Sequence, residues 1–170
     1  MEYQARDVAG RVLGRLAQAF AFAGGAVLVA MIGMSMTSIT GRAIFGKPVP
    51  GDFEMVQIGC AIGIAAFLPW CQMRRGNIIV DFFTTRLPAR AQAALDAFGA
   101  LLLALAMALV AWRAGFGAQS VKAGGENLMI SGIPAWIGYA AIVPSLGLTA
   151  LAGFYTAWQS GREALGRKPE

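Results

Sequence analysis

No histidine occurs among the 170 residues, which removes bis-histidine haem ligation, the usual zinc sites and histidine proton relays. Charge is scarce as well. Acidic and basic residues make up 14% of the chain against 57% hydrophobic residues, an imbalance that a soluble core of this size does not absorb. Cysteine is limited to Cys60 and Cys71. They lie about 16 Å apart along one predicted helix, beyond disulfide reach, and read as buried apolar fillers.

What the chain does have is four long apolar runs, at about 16–40, 53–73, 91–116 and 133–159. Roughly twenty helical residues cross a hydrocarbon layer of about 30 Å, so each run suffices for one crossing. The expected fold is therefore an all-α integral membrane protein with four transmembrane helices in a single domain spanning residues 1–170. The first run follows Arg6, Arg11 and Arg15 as a signal peptide would, but it is longer than a signal peptide's apolar region and is expected to be retained as helix 1.

Orientation follows from the basic residues. Arg6, Arg11 and Arg15, then Arg74, Arg75, Arg86 and Arg90, then Arg162, Arg167 and Lys168 fall on one side of the four runs, whereas only Arg42, Lys47 and Lys122 fall on the other. The positive-inside rule places both termini and the link between runs 2 and 3 in the cytoplasm. The pI of 9.8 then records topology and contact with anionic headgroups, not nucleic-acid binding.

Several helix ends are marked. In PGDFEM, Asp52 is placed to cap helix 2. Pro88 suits the start of helix 3, expected over about 88–116. Pro134 is tolerable in the first turn of helix 4, with Trp136 and Tyr139 at the outer interface and Tyr155 and Trp158 at the inner one. Pro69 and Pro144 fall inside helices 2 and 4 and read as kinks, a broken-helix substrate site being the other possibility.

The link RRGNIIVDFFTTRLPAR separates Ile78, Ile79, Val80, Phe82 and Phe83 from Asn77, Asp81, Thr84 and Thr85 on a helical wheel. A short amphipathic helix on the inner membrane surface, at about 77–86, fits this pattern. A strand and a buried connector remain open as alternatives.

Ionisable groups within the runs are few. Glu54 lies just inside helix 2 and Arg113 about one turn from the outer end of helix 3, so both can reach headgroups, each other or a partner. The rest of the chain supplies no midplane acid, no nucleophile with a base, and no catalytic, cofactor or metal site. Surfaces for packing are plentiful: GCAIG at 59–63 is a small-xxx-small pattern, with Gly24, Gly25 and Gly33 as counterparts on helix 1. Helix 3 is apolar around most of its circumference in LLLALAMALV, so it faces lipid or another membrane protein.

In their order, GDFEMVQIG, QMRRGNIIVDFF, TRLPARAQAALDA and SGIPAWIGYAAIVPSLGL make the chain resemble the small membrane subunit (DctQ type) of tripartite ATP-independent periplasmic (TRAP) transporters. The similarity covers nearly the whole chain and is strongest at GNIIVDF and at Ile133 to Trp136. What the resemblance implies is a scaffold, of the unfused type, beside a large membrane subunit that holds the sodium and substrate sites, with a periplasmic substrate-binding protein delivering an organic acid across a bacterial inner membrane. Asn77 stands where the family often has histidine, a position read as facing headgroups. On this basis Arg74, Arg75 and Asp81 are expected to anchor the surface helix, Pro134 and Trp136 to set helix 4, and Glu54 and Arg113 to make outer contacts, with lipid as a further partner. Two other classes stand against this reading. One is a self-contained homo-oligomeric proton-coupled transporter using Glu54. The other, a membrane-embedded enzyme, is poorly served by a chain without histidine or a nucleophile pair.

Overall fold

A computed structural model describes residues 8–74 and 88–165, and the surface-helix expectation at 77–86, with Arg75 and Asp81, lies outside them. Four helices follow in order: α1 (Val8–Phe45), α2 (Asp52–Met73), α3 (Ala89–Gly124) and α4 (Trp136–Ala164). All four are long and apolar enough to cross a membrane. With 38 and 36 residues, α1 and α3 are about 57 and 54 Å long, more than a bilayer with its headgroups, so their ends project beyond it. The apolar runs mark only the lipid-matched part of each helix. Backbone hydrogen bonding carries α1 and α3 on into their polar flanks.

Starts and stops follow local chemistry. Pro88 is the residue before α3, and the Ala91 and Gln92 amides donate to its carbonyl. Gly125 ends α3 at φ +63°, and the Glu126 amide reaches back to the Val121 carbonyl, the six-to-one bond of a left-handed helix stop. Pro134 sits two residues before α4 and not in its first turn, because it closes a small antiparallel bridge with Asn127. Helices α2 and α4 continue through Pro69 and Pro144.

The helices pack in the spatial order α1, α2, α4, α3. Helix α3 lies against α4 and α1 against α2, while α2 and α4 join the two hairpins; α1 touches α4 only lightly. Small residues permit the close approaches. A Cβ added at Gly24 of α1 would come within 2.7 Å of Ala66 Cβ and 2.9 Å of the Gly63 carbonyl on α2. One at Gly153 of α4 would meet Ala104 Cβ of α3 at 2.9 Å. Gly59 receives the Met31 side chain. The counterparts on α1 are unequal: Gly24 is buried, whereas Gly33 has nothing within 4 Å.

At the end carrying the chain termini, α1, α2 and α4 converge on a small core of Ala17, Met73 and Ala152, flanked by Leu13, Trp70 and Tyr155. The Gln72 amide there donates to Thr156 Oγ at 2.8 Å, and the Thr156 hydroxyl donates in turn to the Gly153 carbonyl at 3.0 Å. In a low-dielectric setting this buried pair ties α2 to α4. Cys60 and Cys71 are free thiols, but only Cys60 is partly buried. Cys71 shares the outward face of α2 with Ile64 and Gln57, seven and fourteen positions before it, and all three are exposed. The filler expectation thus fails for Cys71.

Gly24→Ala is expected to destabilise the protein by about 1–3 kcal/mol, since backbone and a stiff alanine block the new methyl. Gly33→Ala, with open space, is the control and should leave the thermal midpoint in detergent unchanged or slightly raised. Equal midpoints for the two variants would disprove the close α1–α2 contact.

Candidate functional site

The first turn of α2 carries two acids, Asp52 and Glu54. Residues two apart on a helix point about 200° apart, so the pair reaches in opposite directions. Each grips a different hairpin.

Asp52 reaches α1. The Ser38 hydroxyl donates to its Oδ2, Arg42 of α1 pairs with the same oxygen at 3.9 Å, and the Val49 amide donates to Ser38 Oγ at 3.3 Å. Oδ1 accepts the Phe53 amide at 2.8 Å. The helix cap itself is Gly51, at φ +76°. Asp52 therefore takes a first-turn amide, as a helix-start acid should, but its other oxygen ties the α1–α2 connection to the turn that follows.

Glu54 reaches the loop between α3 and α4. Its Oε1 accepts the Ile130 amide at 3.1 Å, and Oε2 accepts the Ser131 amide at 2.9 Å and the Ser131 hydroxyl at 2.8 Å. Charge-assisted bonds of this kind are the stronger ones. Gly51 completes the contact, because a Cβ there would stand 2.8 Å from Ser131 Cβ; both its φ and its missing side chain are needed. The loop is braced from within by the Leu128 amide on the Ile133 carbonyl at 2.9 Å and the Ala135 amide on Glu126 at 3.0 Å. Met129 is left at the tip, 99% exposed.

The remaining expected residues are spread over the molecule. Trp136 begins α4 with the Lys122 ammonium 4.9 Å from its ring centre, which links the end of α3 to the start of α4. Pro134 lies in the braced loop. Arg74 closes α2 with its guanidinium 4.7 Å over Trp70. Arg113 is exposed on α3, and the structure does not bring it to Glu54. Ser38, Arg42 and Ser131 were not singled out by sequence reasoning. The D-x-E spacing at a helix start was the available signal, since it forces two acids onto opposite faces.

Four membrane-length helices clasped at their ends define a class: a small, multi-pass helical membrane protein. Residues 31–163 match the family described as tripartite ATP-independent periplasmic transporters, DctQ component, and the chain belongs to that family. It is accordingly a TRAP transporter component, the small membrane subunit, and not an enzyme. No curated protein and no solved structure matches it.

Glu54→Gln keeps the shape of the side chain but turns an amide group, itself a donor, toward a cluster of donors. Faster hydrogen exchange at Ile130 and Ser131 and a lowered thermal midpoint are expected; exchange identical to wild type would remove the clasp from the account.

Proposed function

We propose that the chain is the stationary membrane scaffold of an ion-gradient-driven importer for an organic acid, with a large membrane subunit carrying the sodium and substrate sites and a periplasmic protein delivering the substrate. It sits in a bacterial inner membrane with both termini in the cytoplasm, and the clasped loop faces the periplasm. The observation that carries this reading is the family membership over residues 31–163. Substrate class, coupling ion and partner follow from what the family resemblance implies.

The form of α3 supports a membrane partner. Leu95, Phe98, Leu102, Leu105, Leu109, Trp112 and Phe116 recur at alternating spacings of three and four and are 42–67% exposed. This stripe extends for roughly 31 Å, the thickness of the hydrocarbon layer, with the spacing of a helix-packing seam. Its side chains are large, so they suit knobs-into-holes contact with a facing helix. Arg74, Arg75 and Asp81 are assigned to anchoring at the inner surface, Pro134 and Trp136 to setting α4, and Arg113 to the outer headgroups or the partner. The competing self-contained exporter needs a carboxylate free to exchange a proton. Glu54 lies in a first helical turn and already accepts the Ile130 and Ser131 donors.

Extraction of the tagged chain from its native membrane in mild detergent is expected to bring along one large multi-helix membrane protein at equal stoichiometry; recovery of this chain alone, as a stable oligomer, would overturn the scaffold reading. Changing Leu105, Leu109 and Trp112 together to Ala keeps α3 apolar for lipid yet should cut recovery of the partner by roughly tenfold or more, as loss of central contacts does at other interfaces. Asp81→Ala should reduce complex yield and uptake without altering which substrate is captured. With Cys60 and Cys71 replaced by Ser, a Ser131→Cys thiol should react with an impermeant maleimide from the periplasmic side. Labelling only after the membrane is opened would invert the assigned orientation.

A further inference from the structure

Between α3 and α4, in the half nearer the chain termini, lies an open groove of about 440 Å³ lined by Ala97, Phe98 and Leu101 on one side and Phe154, Ala157 and Trp158 on the other. Ala97 and Ala157 leave the space that larger side chains would fill, and Trp158, 69% exposed, stands beside it. Two cations lie beyond its end. Arg90 precedes Ala97 by seven residues, close to two full turns, and therefore shares its face about 10 Å further along the axis. Arg162 follows Trp158 by one turn, about 6 Å along α4. Neither arginine forms an ion pair with a described residue. The nearby acids are turned elsewhere: Asp96 and Glu163 fall about 145° and 175° from the middle of the groove-lining face on their own helices.

We propose that this groove binds one anionic phospholipid, with an acyl chain lying along Ala97, Leu101 and Ala157 and the phosphate held by Arg90 and Arg162. The order of chemistry along the axis matches such a molecule: apolar floor, indole at the interfacial level, then two guanidinium groups. Tryptophan favours that level in a bilayer, and arginine matches phosphate with paired donors. A zwitterionic lipid would fill the groove equally well but bring its own cation toward the two arginines. The site thus selects for net charge and not for chain length. It requires only that the helices lie in a bilayer, and does not rest on the assigned partner or orientation.

The full chain, alone and in the complex if one is recovered, is reconstituted with phosphatidylglycerol or phosphatidylethanolamine of the same acyl chains and examined by native mass spectrometry. Preferential retention of one phosphatidylglycerol is expected, falling roughly fivefold for each arginine removed in Arg90→Gln and Arg162→Gln. Arg90 is exposed and Arg162 half-buried, and circular dichroism checks that the helices persist in both variants. Phosphatidylglycerol with brominated chains should quench tryptophan emission more than the brominated zwitterionic lipid does, and Trp158→Phe should abolish that difference. Equal retention of the two lipids, a preference that survives the double arginine substitution, or a complex in which a helix of another protein excludes lipid from the groove would each overturn the proposal.

Discussion

Everything at one end of this protein depends on two carboxylates leaving a single helical turn in opposite directions. Asp52 and Glu54 could not serve this purpose at positions three or four apart, because they would then share a face and reach the same neighbour. With one residue between them, Asp52 meets Ser38 and Arg42 of α1 while Glu54 meets the Ile130–Ser131 backbone. A turn that would otherwise begin one helix becomes the joint of two hairpins. The positive end of the α2 dipole favours both negative groups there, and Gly51 supplies the room for Ser131.

The other end is joined by different means. Where α1, α2 and α4 converge, the contact is close packing around Met73 with the Gln72–Thr156 bond. Between these two attachments the helices meet through glycine and alanine, as membrane helices do when no water is available to drive them together. Helix α3 takes its close contact from α4. It lies against α4 and carries its large side chains outward. The chain thus divides its helices between two that hold the structure, α2 and α4, and two that present surface, α1 and α3.

The membrane class and the four helices were legible because they rest on composition and length, which tertiary packing does not alter. GCAIG was legible too, since Gly59 and Gly63 have few uses on a membrane helix other than close approach. What could not be read was the partner of each polar side chain. Asp52 has the appearance of a simple cap until Ser38, fourteen residues earlier, is folded onto it. Glu54 reads as a shallow acid reaching for headgroups, Arg113 or a partner until a loop 76 residues away supplies its donors. Pro134 carries the signature of a first-turn proline, but a bridge to Asn127 holds it outside the helix. Cys71 and Gly33 show the same dependence from the other side: both are small residues suited to close contact, and both face away from the neighbouring helix.

The acids and bases of the four helices flank an uncharged stretch on each. Residues 16–41, 55–73, 97–112 and 137–161 contain no Asp, Glu, Lys or Arg. Moving one elementary charge through a membrane potential of 100 mV involves about 2.3 kcal/mol. These stretches offer the potential no charge to move. A shift of these stretches through the potential would proceed at the same energy whether the cell is polarised or not, and on α3 the potential can act only on Asp96 and Arg113, which flank its uncharged stretch.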